Sequence, residues 1–113
     1  MKNKEFEAVV IMHSLKPGNA LYNTVGLVGE AGEVANIIKK IAIRKAIIAK
    51  GDPIISLNTM EEYIASIKDE LGDVLFYLTR LALDYGLDLD EIMEEQNRKL
   101  LAQNKEYNKV FKK

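Results

Sequence analysis

Four acidic side chains stand in two matched pairs along this chain, Glu30 with Glu33 and Glu70 with Asp73. Residues three apart on an α-helix lie about 60° apart around its axis and less than a turn apart along it, so each pair projects to one helix face. The pairs share more than their own spacing. At a constant offset of 40 positions Glu30 matches Glu70, Gly32 matches Gly72, Glu33 matches Asp73, Val34 matches Val74, Lys40 matches Arg80 and Ala42 matches Ala82. Two similar helices carrying acids and a distal base at the same spacing predict a pseudo-twofold site between them.

The surroundings of the acids set their chemistry. From Val25 to Ile38 the only charges are Glu30 and Glu33, and from Leu71 to Thr79 the only charge is Asp73. These are apolar stripes rather than solvated charged faces. Carboxylates that converge in a partly desolvated site repel one another, and without a counter-charge some become protonated. A divalent cation removes that repulsion. Oxygen ligands in this number suit Mg²⁺, with Mn²⁺ as the second choice, because such cations take octahedral oxygen and keep waters for substrate phosphates. Glu30, Glu33, Glu70 and Asp73 are therefore the candidate metal ligands. Glu33 is also the candidate catalytic base for a bound water; a carboxylate can serve either role, and the sequence carries no distances.

Lys40 follows Glu33 by seven residues and Arg80 follows Asp73 by seven, two turns along nearly the same face and about 10 Å by helix rise. Each suits either a grip on a phosphate tail or a snorkelling position at the rim of a core. Tyr77, one turn after Asp73, suits either contact with substrate or the core. His13, the lone histidine, reads as a partly buried structural residue near a helix end. Gly26, Gly29, Gly32 and Gly72 each cost about 1 kcal/mol relative to alanine inside a helix, and close approach of the two acid-bearing helices is the return they imply.

Helical periodicity dominates, so the fold class is all-α: four helices over Lys4 to Ser14, Ala20 to Ala49, Met60 to Tyr85 and Leu89 to Tyr107. Lys16-Pro17-Gly18-Asn19 separates the first from the second, with Asn19 as cap, and Gly51-Asp52-Pro53 stops the second. Thr59 with Glu62, and Asp88 with Glu91, form capping boxes that open the third and fourth helices, and Leu87 with Ile92 makes a hydrophobic staple. Gly86 is the left-handed residue ending the third helix, which makes the last connection a tight antiparallel hairpin. Gly51 to Asn58 is the one true loop.

The bulk properties bound the function. A chain of 113 residues, 48% hydrophobic and 29% charged, makes a single domain over 1–113 with a modest core, and helix pairing between copies in a homo-oligomer is the expected supplement. There are no cysteines, which excludes disulfides and thiolate metal sites and suits the cytoplasm. Sixteen basic and 17 acidic residues are mixed along the length, so no basic face marks a nucleic-acid polymer as partner. The apolar run Ala8 to Met12 is too short for a signal or membrane segment.

The strings Gly26-Leu27-Val28-Gly29-Glu30-Ala31-Gly32-Glu33-Val34, then Lys39-Lys40, and Glu70-Leu71-Gly72-Asp73-Val74-Leu75-Phe76-Tyr77 resemble the MazG-like all-α nucleotide pyrophosphohydrolases. That resemblance implies a four-helix bundle, usually dimeric or tetrameric, which hydrolyses (deoxy)nucleoside triphosphates to the monophosphate and pyrophosphate. It implies Mg²⁺ on Glu30, Glu33, Glu70 and Asp73, and places Lys40, Tyr77 and Asn97 near positions used on substrate; Arg80 joins them through its match to Lys40. Two departures stand out. The segment between the acid pairs is longer than the family's usual one, and Asn97-Arg98-Lys99-Leu100 lacks the lysine that relatives commonly place three after the asparagine, leaving Lys99 without an assigned role. A phosphoribosyl-ATP pyrophosphohydrolase-like enzyme and a non-catalytic helical oligomerisation or nucleotide-binding module are the rival readings, and magnesium-dependent pyrophosphate release separates the enzymes from the module.

Overall fold

A computed structural model describes residues 1–14, 19–51 and 58–111. Among them are four α-helices and no strand: α1 (Asn3–Met12), α2 (Ala20–Lys50), α3 (Met60–Asp84) and α4 (Leu89–Phe111). The all-α class and the four elements are as the periodicity predicts. α1 ends two residues sooner than expected, and α4 runs four residues further. The expected breaks at Lys16-Pro17-Gly18 and Asp52-Pro53, and most of the loop up to Asn58, lie outside the described residues.

Local chemistry explains where the helices start and stop. Asn19 Oδ1 accepts from the backbone N–H of Tyr22 at 2.9 Å and opens α2. Thr59 Oγ1 accepts from Glu62 N while Glu62 Oε1 accepts from Thr59 N, the reciprocal box that satisfies two orphan donors of α3. Gly51 and Gly86 sit at φ +76° and +70°, a left-handed conformation that closes α2 and turns α3 into the hairpin.

α2 and α3 form the principal pair, and they run antiparallel, since Glu30 meets Glu70, Gly26 meets Tyr77 and Asn23 meets Asp84. Ile37 and Tyr63 are buried at the far end of this seam and Thr79 and Ala82 at the near end. α1 packs on α3 and also on α4. Its contribution to α4 is electrostatic as well as apolar: the buried Glu7 carboxylate accepts from Leu89 N, the first helical N–H of α4, at 2.7 Å. Asp88 Oδ1 accepts from Glu91 N at 2.9 Å, and Lys4 Nζ reaches both Asp88 and Glu7. A carboxylate at a helix N-terminus satisfies orphan donors and meets the positive end of the dipole.

The chain alone is open rather than closed. Its radius of gyration is 19.0 Å, against about 13 Å for a compact domain of this length. α4 is exposed from Asp90 through Lys105, and the outer face of α2 leaves Leu21, Val25, Val28 and Ile38 in solvent.

Glu7 is thus the residue through which α1 holds the start of α4. We expect Glu7→Ala to lower unfolding stability by about 1–3 kcal/mol, the range for losing a cap and a charge-assisted hydrogen bond together. Denaturant titration of the purified variant measures this, and a loss below about 0.5 kcal/mol would show that Glu7 does not cap α4 in solution.

Candidate functional site

Helix α2 brings Glu30 and helix α3 brings Glu70 and Asp73 to the same stretch of the seam. One carboxylate oxygen from each lies within 4.8 Å of the other two. Glu30 and Glu70 are half-buried, and Glu70 Oε2 is buried with no hydrogen-bond partner. Among the described residues no lysine or arginine pairs with any of the three. Such an arrangement is costly as it stands, because like charges are held close and an acceptor is left unsatisfied. The carboxyl of Glu70 responds by rising to about 7, first through a shared hydrogen bond with Glu30, then through burial, then through the charges of Glu30, Asp73 and Glu33. A hard divalent cation fits these residues: it supplies the missing counter-charge, and it takes oxygen ligands of this kind.

Glu33 is exposed and stands outside the three-oxygen group, although its charge is felt at Glu70. Tyr77 lies against Gly26 so closely that a Cβ at residue 26 would collide with its ring. Close helix approach is therefore the reason for Gly26 alone. At Gly29, Gly32 and Gly72 an added Cβ meets nothing within 4 Å in this chain, which corrects the expectation that all four glycines serve the seam. The Tyr77 phenol is pushed above its ordinary value by burial, then by its contact with Tyr22, with Glu30 and Asp73 adding to the effect. Tyr77 is in this way a wall of the acid site.

Lys40 and Arg80 lie at opposite ends of the seam and differ in environment. Lys40 is exposed. Arg80 is buried, and its Nη2 donates to Asp84 Oδ1 at 2.9 Å in an ion pair within α3. Asn97 is exposed on α4. His13 is exposed rather than partly buried, because α1 ends before it; its Nδ1 lies 2.8 Å from the Val9 carbonyl. Sequence reasoning missed Tyr22, Asn23 and Asp84. Asn23 is buried and its Nδ2 donates to Asp84 Oδ2 at 2.7 Å. The available signal was its register: Asn23, Gly26 and Glu30 follow at spacings of three and four on one face, so a polar side chain stands where the seam requires burial.

The fold and this site define an all-α protein with a carboxylate cluster set between two long antiparallel helices. A model of the MazG nucleotide pyrophosphohydrolase domain matches residues 20–107, and the chain belongs to that family. Over 79 residues it is 37% identical to the Gene 37 protein of Mycobacterium phage L5; the match takes in 70% of this chain and 60% of that relative's length, so the chain spans under two thirds of it. Among solved structures, iMazG from Vibrio DAT 722 is similar with a TM-score of 0.58 at 26% identity, over 93% of this chain and 97% of that one.

The raised pKa of Glu70 has a definite consequence for stability. A carboxyl that ionises near 4.5 when unfolded and at about 7 when folded holds more protons in the folded state between those values. Stability from this group is complete below about pH 4.5 and is lost as pH rises through about 7. Asp88 and Glu95, both lowered by cationic partners, act in the opposite sense and at lower pH, outside this window. We expect thermal melts in EDTA to show a decline across pH 4.5–7 that Glu70→Gln removes and that excess Mg²⁺ offsets. A decline of equal size in the glutamine variant would assign it to another group.

Proposed function

We propose that the protein hydrolyses (deoxy)nucleoside triphosphates to the monophosphate and pyrophosphate, with Mg²⁺ as the resident cation and Mn²⁺ as a substitute. The observation that carries the reading is the group formed by Glu30, Glu70 and Asp73, with a buried unpartnered oxygen and, among the described residues, no lysine or arginine ion-paired to it, in a chain of a nucleotide pyrophosphohydrolase family. The bound cation would neutralise phosphate charge and lower the pKa of a water. The chain's own groups do the rest. Glu30, Glu70 and Asp73 hold the cation, and Glu33, exposed beside them, either completes the ligand set or takes the proton from the attacking water. Lys40, free in solvent two turns beyond Glu33, contacts the far oxygens of the triphosphate. Tyr77 borders the substrate, and Arg80 and Asn97 contribute further contacts to it.

The domain spans 1–113 and works as a homodimer or homotetramer in the cytoplasm. Supporting this are the exposed Leu21, Val25 and Val28 on α2, the exposed Met93, Leu100 and Leu101 on α4, and glycines at 29, 32 and 72 that a neighbouring helix could approach closely. No helix among the described residues is long and apolar enough to cross a membrane.

Pyrophosphate release, with products identified by mass across all (d)NTPs, tests the reading directly. Alanine at any of positions 30, 33, 70 or 73 is expected to abolish most turnover while the helical circular-dichroism signal persists; in EDTA these variants should be at least as stable as the parent, since a repelling charge is gone. Near-normal turnover in two or more at saturating Mg²⁺ would sink the site. For Lys40→Gln, a rise in KM of roughly tenfold to hundredfold is expected, the equivalent of one charge-assisted hydrogen bond.

A further inference from the structure

Next to the acid group, on the side toward the start of α2, lies a small cavity of about 80 Å³ bordered by His13, Tyr22, Asn23, Phe76, Tyr77 and Arg80. Tyr77 is the shared wall, since the charges of Glu30 and Asp73 reach its phenol. Phe76 and Tyr77 meet edge to face with ring centroids 5.2 Å apart, so the cavity has aromatic walls. A water needs about 10–15 Å³ of such space, which leaves room here for the edge of one small planar ring.

The polar groups in this cavity are prearranged. Asp84 accepts from Asn23 Nδ2 through one oxygen and from Arg80 Nη2 through the other. An ionised carboxylate only accepts, so it forces the amide nitrogen of Asn23 to face it and leaves Asn23 Oδ1 as an acceptor. Arg80 Nε is buried and has no partner, although the Asn23 residue is only 2% exposed and the Arg80 side chain 9%. Both side chains border the cavity and are held in place by Asp84. Charge selects what they can receive. Arg80 is already ion-paired with Asp84, so the cavity favours a phosphate less than a free arginine would. It suits an uncharged planar edge that presents an acceptor beside a donor.

We propose that Asn23 and Arg80, positioned by Asp84, bind the hydrogen-bonding edge of the substrate's nucleobase and set base preference. This rests on the nucleotide-hydrolase reading and adds to it where the base sits and which groups contact it. In that arrangement the Arg80 guanidinium donates to a ring nitrogen or carbonyl of the base, and Asn23 Oδ1 accepts from a ring N–H or an exocyclic amino group. Asp84 does not touch the ligand; it is a positioning residue. A ligand that lacks the base makes neither contact, so selectivity for base-bearing ligands follows from the two residues.

The test uses the full chain and two probes, a nucleoside 5′-monophosphate and ribose 5-phosphate, without metal. In the unmodified protein labelled with ¹⁵N, the monophosphate is expected to shift the side-chain signals of Arg80 Nε–H and Asn23 Nδ2, and ribose 5-phosphate is not. Asn23→Leu should narrow the affinity advantage of the monophosphate over ribose 5-phosphate by roughly tenfold or more, the consequence of losing the acceptor. Stationary Arg80 and Asn23 signals at saturating monophosphate, equal shifts with ribose 5-phosphate, or a folded Asn23→Leu chain with an undiminished advantage would each overturn the proposal. Should the leucine variant fail to fold, the labelled parent chain decides the matter by itself. Pyrophosphate release measured in parallel separates the two readings: release with motionless Arg80 and Asn23 signals overturns the base assignment alone, whereas no release from any nucleoside triphosphate overturns the functional reading and this inference with it.

Discussion

Carboxylates from two helices, brought within 4.8 Å of one another in a half-buried seam, push the helices apart unless packing holds them. That opposition shapes the α2–α3 pair. Gly26 lets the Tyr77 ring lie directly on the α2 backbone on one side of the acids, and Ile37 and Tyr63 are buried on the other. The apolar burial on both flanks keeps the repelling groups in register. Partial protonation of Glu70 relieves the strain in the metal-free chain, and a cation relieves it without protons. The same contacts that make the site costly are the ones that a bound divalent cation would relieve.

The rest of the chain serves this seam at some distance. α1 lies against α3 and caps α4 through Glu7, and the hairpin at Gly86 returns α4 from the end of α3. Little of α4 is covered, and α2 presents a long outer face on which apolar and small residues recur. An isolated chain with this much exposed apolar surface has buried only part of what its sequence could bury. Helix-on-helix association between copies is the ordinary way to use such faces, and it would give Gly29, Gly32 and Gly72 the role that the single chain does not.

The main features of the fold and site were legible in the sequence because they depend on short-range periodicity. The constant offset of 40 sets Glu30 against Glu70, and the spacing of three adds Asp73, the three acids that the structure brings together; Glu33 has the same spacing from Glu30 yet stands exposed outside that group. Caps at Asn19 and Thr59 and the left-handed Gly86 follow from backbone hydrogen-bond accounting, which is also local. What escaped was set by tertiary register. Nothing within α2 says that Asn23 lies opposite Asp84, or that Arg80 turns toward its own helix's Asp84 rather than toward a phosphate. The pseudo-twofold match of Lys40 with Arg80 holds in sequence position and breaks in environment, one exposed and one buried, because α1 and the start of α2 cover only the Arg80 end of the seam.

That asymmetry gives the seam a direction. Toward the start of α2, Asn23 and Arg80 both bond to Asp84 beside the rings of Phe76 and Tyr77; at its middle, acids stand with no lysine or arginine paired to them among the described residues; toward the end of α2, Lys39, Lys40, Arg44 and Lys45 follow in a stretch with no acidic residue. A nucleoside triphosphate has the same order of properties along its length, from an uncharged planar base through the phosphates nearest the sugar to the most heavily charged terminal phosphate. A ligand laid the other way would put its anionic tail against a cavity whose arginine is already ion-paired with Asp84. The antiparallel pairing of two similar helices therefore does more than gather three acids. With one end covered and the other exposed, two segments that are nearly symmetric in sequence form a seam with two unlike ends.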